Sequence, residues 1–208
     1  MNLLIIILLL LALLLSRVTN LKTAVNILLA QSAMVALACA IVAVETGEVH
    51  TYAAAAFTLI FKAGLIPYAL FRIVRMLRRE RESNPILSPN YSVMVAGIMI
   101  VLAYGLIDRA LPGVVSRDAL AAAVAMMLIG LTMMMTKRQA VLQIVGLITM
   151  ENGLYLVGLS VTKGLPLIIE FGVFLDVLVA VVVLVILTYR LKRSFMSTDT
   201  SVLKKLKG

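Results

Sequence analysis

Long apolar runs are the feature that most restricts how this chain can fold. Several of these runs approach the roughly 20 residues that a helix needs to cross the hydrocarbon core of a bilayer. Of the 208 residues, 62% are apolar and only 14% are charged, and the mean hydropathy is +1.10. A soluble domain carries about a quarter charged residues. The pattern therefore predicts an all-α integral membrane protein with about seven transmembrane helices.

Short polar connections separate the predicted helices. The spans are Asn2–Ser16, Thr23–Val44, Tyr52–Leu70, Tyr91–Ile107, Ala119–Met135, Val141–Val161 and Leu165–Leu187. The first span is short, but it lacks the basic start and the cleavage site of a secretory signal, so we expect a helix of the mature protein. A connection with Pro85 and Pro89 separates three helices, residues 1–77, from four, residues 91–208. Because no convincing repeat relates these parts, we predict a single membrane domain over residues 1–208.

Basic residues are concentrated on alternate connections. Arg17–Lys22, Arg72–Asn90, Thr136–Ala140 and the tail after Leu187 hold two, five, two and six of the 19 Lys and Arg residues. Cytoplasmic connections of membrane proteins carry such an excess. We therefore predict a multi-pass inner-membrane protein with its N-terminus outside and its C-terminus in the cytoplasm. Orientation and contact with anionic membrane lipid then account for the net charge of +9, and no nucleic-acid partner is needed.

The sequence shows no cofactor ligands and no catalytic motif. The single Cys39 excludes an intramolecular disulfide, an iron–sulfur cluster and a thiolate metal cage. The single His50 lies in a polar loop beside Glu48 and has no ligand partner at helical spacing. No nucleophile–base pair, phosphate loop or nucleotide motif is visible. We therefore predict a non-catalytic chain with no metal site and no cofactor of its own.

Four ionisable residues lie inside the predicted spans: Lys62, Glu151, Glu170 and Asp176. A charge at the centre of a bilayer costs about 3 kcal/mol on insertion scales, and such residues usually face a bundle interior or a water-filled cavity. At 1.5 Å per residue, Lys62, Glu151 and Asp176 lie roughly 15 Å into their helices, and Glu170 lies nearer the outer surface. We predict a lateral row of proton-relay groups. Buried lysine–carboxylate pairs that only hold helices together are the alternative.

Neighbouring residues favour a polar site at this depth. Tyr155 and Gly158 share the helix face of Glu151, where a small residue permits close helix approach and a hydroxyl group can hydrogen-bond. Pro67 has no N–H to donate to the carbonyl group of Ala63, the residue after Lys62. We expect a kink there that admits water beside the lysine.

The sixth predicted helix and the loop before it carry a family resemblance. The residues concerned are Arg138-Gln139, Gln143-Ile144-Val145-Gly146 and Met150-Glu151-Asn152-Gly153. They resemble component E of hydrogenase-4, a membrane subunit of energy-converting nickel–iron hydrogenases and formate hydrogenlyases. The likeness continues through Glu170 and Asp176 to the terminal Leu206-Lys207-Gly208, with weaker matches at Gln31-Ser32 and Lys62. The last 70 residues are its specific part.

The last three predicted helices also resemble the small K-type subunit of respiratory complex I. That subunit has three helices, carboxylates within the second and third helices, and a basic tail. By this likeness Glu151 corresponds to the first carboxylate. The second corresponds to Asp176 by spacing to the tail or to Glu170 by residue type, and both assignments stay open.

The resemblance implies a subunit of the ion-pumping arm of a redox complex. Its partners would be antiporter-like membrane subunits, other membrane-arm subunits and a hydrophilic redox module with iron–sulfur clusters and a nickel–iron site. Proton or sodium translocation would then be coupled to redox chemistry in that separate module. Two alternatives remain: the small subunit of a multi-subunit cation/proton antiporter, and a structural membrane scaffold.

Overall fold

The computed structural model describes residues 2–47, 49–76, 81–82, 85–110 and 117–162. These residues are helical apart from their connections and one isolated antiparallel bridge between Asn20 and Arg81. The helices are α1 (Asn2–Arg17), α2 (Leu21–Thr46), α3 (Val49–Thr58), α4 (Ile66–Met76), α5 (Pro89–Ala110), α6 (Arg117–Thr136) and α7 (Ala140–Thr162). A π-helical segment, Leu59–Leu65, joins α3 to α4.

Five helical segments among the described residues are long and apolar enough to cross a membrane. They are Leu21–Glu45, Ala55–Arg75, Pro89–Asp108, Arg117–Thr136 and Ala140–Ser160. The apolar part of α1, Leu3–Arg17, is shorter. Within the described residues, the prediction of an all-α chain with apolar helices of membrane-spanning length is confirmed, and these helices overlap the first six predicted spans. The seventh, Leu165–Leu187, lies outside the described residues, so the total of seven helices stays a prediction.

Local signals fix both ends of α2. Asn20 adopts an extended conformation before the helix, and its side-chain Oδ1 accepts hydrogen bonds from the N–H groups of Lys22 and Thr23. Such N-caps satisfy amide groups that have no carbonyl partner inside the helix. At the other end Gly47 has φ of 69°, and its N–H donates to the carbonyl group of Ala43. This left-handed conformation is one that glycine adopts without steric cost.

Glycines bring α6 and α7 into backbone contact. A methyl group added at Gly130 would lie 2.5 Å from the carbonyl oxygen of Gly146. One added at Gly153 would lie 2.7 Å from the carbonyl oxygen of Ala123. Small residues permit such close approach between membrane helices. Ala123 and Gly130 lie seven residues apart on α6, and Gly146 and Gly153 lie seven residues apart on α7. This spacing keeps the small residues on one face of each helix, so the two helices pack along two turns.

Three of the predicted cytoplasmic connections meet at one end of the bundle. The N–H of Glu82 donates to the carbonyl oxygen of Thr19, and Glu82 Oε1 accepts a hydrogen bond of 2.7 Å from the N–H of Arg138. The ammonium group of Lys137 donates to the carbonyl oxygen of Val18 and lies 3.8 Å from Glu82 Oε2. This end cluster supports the prediction that these connections share one face of the membrane. Which face it is stays a prediction.

The helix that carries Lys62 is irregular before Pro67, and the expected kink there stays a prediction. The chain forms the π-helical segment Leu59–Leu65, in which the N–H of Ile66 donates to the carbonyl oxygen of Phe61. The next donor in that pattern would be the N–H that Pro67 lacks, so the π pattern ends and α4 follows. Lys62 therefore lies within the wider π-helical turn.

Candidate functional site

Helix α7 occupies the centre of the site because three of its faces contact different elements. Gly146 and Gly153 face α6, as described above. Thr149 and Asn152 make hydrogen bonds to α2. Tyr155 contacts α3 and the π-helical segment. Two thirds of its membrane window, 67%, is buried, against 17% for α5. An apolar helix buried on all sides is typical of the middle of a membrane bundle.

Lys62 is held against α7 by an aromatic ring. The side chain is 1% exposed, and its ammonium nitrogen lies 4.8 Å from the centre of the Tyr155 ring. The hydroxyl group of Tyr155 accepts a hydrogen bond of 3.0 Å from Thr58, which precedes Lys62 by one helical turn. The negative face of an aromatic ring attracts a cation, and this attraction grows when water is excluded. Thr58 and Tyr155 therefore position the lysine.

Glu151 lies at the midpoint of α7. It is 4% exposed, and it lies eleven positions after Ala140 at one end of the helix and eleven positions before Thr162 at the other. Tyr155 follows it by four residues, so the two side chains share one face of the helix. The residue of α7 that contacts Lys62, Tyr155, therefore lies on the same helix face as Glu151.

A polar cluster lies on the neighbouring face of α7. The side chains of Gln31, Ser32, Thr149 and Asn152 are fully buried. The amide oxygen of Gln31 accepts hydrogen bonds from Thr149 and Asn152. The family resemblance included Gln31, Ser32 and Asn152, but not Thr149. The hydroxyl group of Thr149 also lies within hydrogen-bonding distance of the carbonyl oxygen of Val145 in its own helix. Hydroxyl residues in helices often make only that internal bond, so nothing in the sequence marked it.

The predicted relay residues fall into two groups. Lys62 and Glu151 are described, buried and placed on adjoining helices. Glu170 and Asp176 lie outside the described residues and stay predictions. Thr58 and the π-helical segment were missed. The four-residue spacing from Thr58 to Lys62 was the available signal for the threonine, whereas no residue pattern marks a π-helix.

A buried ionic pair lies outside the membrane spans, in the end cluster. The side chains of Lys137 and Glu82 are 2% and 0% exposed. Burial lowers the pKa of Lys137, and the nearby carboxylate of Glu82 opposes this change in part. In the described part of the chain, no group of three or more His, Cys, Asp or Glu residues could hold a metal ion.

Comparison with known proteins gives a family relationship for most of the chain. No family model matches it, and no solved structure does. Over 159 residues it is 28% identical to hydrogenase-4 component E of Escherichia coli K12 and of Shigella flexneri, covering 76% of this chain and 73% of theirs. This distant similarity supports the resemblance drawn from residues 138–153. The likeness to the complex I subunit stays a prediction.

A second relative is more similar. Over 153 residues the chain is 34% identical to the uncharacterized protein Rv0085 of Mycobacterium tuberculosis, covering 72% of this chain and 69% of the mycobacterial one. That identity extends over more than two thirds of each chain, so the similarity is not confined to a local motif. This chain belongs to the family of the mycobacterial protein Rv0085.

Proposed function

We propose that this chain is a membrane subunit of an energy-converting hydrogenase or complex I-like assembly. The distant similarity to hydrogenase-4 component E and the apolar helices fit a membrane subunit of a hydrogenase complex. In this proposal the chain is non-catalytic. Its partners are antiporter-like membrane subunits and a hydrophilic redox module, and that module carries the iron–sulfur clusters and the nickel–iron site.

One observation carries the ion-translocation part of the proposal. Lys62 and Glu151 are both buried, and Lys62 contacts Tyr155, which lies one helical turn from Glu151. Charged groups at this depth are costly, and membrane proteins use them at ion pathways and proton relays. A purely structural role for Lys62 and Glu151 needs no aromatic ring and no π-helical turn beside them. A π-helical turn favours a functional role, because such turns are frequent at functional sites.

The chemistry of such a relay follows from two opposing effects. An apolar environment disfavours the charged form of a carboxyl group, whereas an approaching cation favours it. A change in the distance between the cation of Lys62 and the carboxyl group of Glu151 therefore binds or releases a proton. In this proposal Asp176 or Glu170 supplies the second carboxyl group, and the relay runs laterally through the membrane towards the antiporter-like subunits.

The experiment compares Glu151→Gln with Glu45→Gln in the assembled complex. Gln keeps the shape of the Glu151 side chain and removes its titratable proton, and Glu45 is an exposed carboxylate at the end of α2 that serves as the control. The measurement is the number of ions moved per electron in reconstituted vesicles, normalised to the amount of assembled complex. We expect redox turnover to persist and the ratio to fall well below wild type in Glu151→Gln alone.

Two outcomes separate the alternatives. An unchanged ratio in Glu151→Gln, together with a lower yield of assembled complex, assigns Glu151 a structural role. Co-purification with antiporter-type subunits and no redox module replaces the hydrogenase assignment with a cation/proton antiporter.

A further inference from the structure

The hydrogen bonds of the polar cluster on α2 and α7 are incomplete. Gln31 Oε1 accepts from Thr149 Oγ1 at 3.3 Å and from Asn152 Nδ2 at 3.4 Å, and Asn152 Nδ2 reaches Ser32 Oγ at 3.5 Å. Hydrogen bonds in proteins usually measure about 2.7–3.2 Å for N–H donors and about 2.5–3.0 Å for O–H donors, so these contacts are long. We call these four residues the amide cluster.

Two atoms of the amide cluster have no hydrogen-bond partner in the described part of the chain. They are Gln31 Nε2, which is a donor, and Asn152 Oδ1, which is an acceptor. Both side chains are 0% exposed. Hydrocarbon offers no replacement partner to a buried amide group, so such groups in membrane proteins find partners in protein or in internal water.

Rotation of the two amide groups does not complete the cluster. If both turn by half a revolution, Gln31 Nε2 donates to Asn152 Oδ1. It can also donate to Thr149 Oγ1, because the single proton of that hydroxyl then goes to the carbonyl oxygen of Val145 at 2.8 Å and no longer to Gln31. Gln31 Oε1 and Asn152 Nδ2 then lack partners. Either arrangement that keeps the hydrogen bond between the amides therefore leaves one donor and one acceptor.

We propose that the amide cluster binds an ordered internal water molecule in the middle of the membrane. A water molecule both donates and accepts, so it completes the cluster in either orientation of the amides. A bound cation would satisfy only the acceptor and would face the remaining N–H donor. Because the cluster lacks partners for one donor and one acceptor, a water molecule fits it and a metal ion does not.

The position of the cluster places this water at the depth of the ionisable residues. Gln31 is ten residues from the start of α2 at Leu21, and Asn152 is twelve residues from the start of α7 at Ala140. Both starts lie at the end cluster, so the water is roughly 15–18 Å from that end. It lies on the face of α7 beside that of Glu151. Its binding follows from the amide groups alone and holds whether or not the chain translocates ions.

The test is a cryo-EM map of the full chain in lipid nanodiscs, with its co-purifying subunits, at a resolution that shows ordered water. We expect a peak within hydrogen-bonding distance of both the Gln31 and Asn152 amide groups. An isotope measurement gives a second readout: infrared spectra recorded in ordinary water and in water labelled with oxygen-18 should show a shifted band from internal water. The double variant Gln31→Leu/Asn152→Leu should lose that band, and Asn26→Leu, an exposed position on α2, should keep it.

Three results would overturn the proposal. The first is a map in which the amides pair with protein groups and no peak lies between them. The second is a peak held at the shorter distances of a bound cation. The third is an isotope-sensitive band of wild-type intensity in the folded double variant. Because the wild-type map decides the question on its own, a double variant that fails to fold does not leave the proposal open.

Discussion

The ammonium nitrogen of Lys62 lies 4.8 Å from the centre of the Tyr155 ring, and the Tyr155 hydroxyl accepts a hydrogen bond from Thr58. One residue of α7 thus makes two contacts to the helix that carries the lysine. The ring attracts the cation and the hydroxyl group fixes the ring, so the position of the lysine depends on both ends of a single side chain.

Two substitutions separate these contributions. Tyr155→Phe keeps the ring and removes the hydroxyl group, and we expect a loss of about 1 kcal/mol of unfolding free energy, typical of one hydrogen bond. Tyr155→Leu also removes the aromatic face, and we expect a further loss of about 1–2 kcal/mol because the cation–ring contact is buried. Denaturant unfolding in detergent micelles measures both. Tyr68→Phe is the control, since Tyr68 is 63% exposed; equal stability of Tyr155→Phe and Tyr155→Leu would contradict the assigned cation–ring contact.

The glycines between α6 and α7 give a second prediction. Gly130→Ala and Gly153→Ala place a methyl group against backbone atoms of the other helix, which cannot move aside as a flexible side chain can. We expect each to cost about 1–3 kcal/mol, the usual range for overpacking. Gly97→Ala and Gly105→Ala on α5 are matched controls, because nothing lies within 4 Å of the added methyl group. The close packing would be refuted if all four variants were equally stable in thermal unfolding.

Parts of this architecture are predictable from the sequence and parts are not, for physical reasons. The apolar runs predict the helices, because hydrocarbon forces every backbone amide into internal hydrogen bonds. The cost of burying charge predicts Lys62 and Glu151 as residues of an interior site. The end cluster is not predictable, since Glu82 lies in a loop of mixed charge and only the tertiary fold brings it to Lys137. The π-helical segment is not predictable either, because Pro67 indicates an irregular helix without specifying the form of the irregularity.

The buried pair of Lys137 and Glu82 predicts a pH dependence of stability. Burial lowers the pKa of Lys137 in the folded chain, below the value of about 10.4 of an unfolded lysine. Between these two pKa values the unfolded chain binds more protons, so the unfolding free energy should rise as the pH increases through this window. Thermal unfolding from neutral pH to pH ~10 measures this rise, and Lys137→Met should abolish its lysine-dependent part.

The same variant has a second effect at neutral pH. Lys137→Met leaves the carboxylate of Glu82 buried without its cation, and we expect a loss of about 3 kcal/mol. Arg72→Met, at an exposed position of α4, should change neither the stability nor its pH dependence. If Lys137→Met kept the wild-type slope with pH, another group would be responsible for the dependence.

The last prediction concerns the membrane face of the end cluster. The connections of α1 to α2 and of α6 to α7 meet there with Glu82, so a single labelled position reports the face of all of them. Arg138 and Glu45 have exposed side chains, at the end cluster and at the far end of α2 respectively. Arg138→Cys and Glu45→Cys, each in a Cys39→Ala background, should therefore react with membrane-impermeant maleimide from opposite sides. Because connections rich in basic residues stay in the cytoplasm, Arg138→Cys should be labelled only in inverted membrane vesicles. Glu45→Cys should be labelled in cells whose outer envelope has been permeabilised while the inner membrane stays closed. Labelling of Arg138→Cys from outside would reverse the predicted orientation, and labelling of both positions from one side would contradict the arrangement of α2 across the membrane.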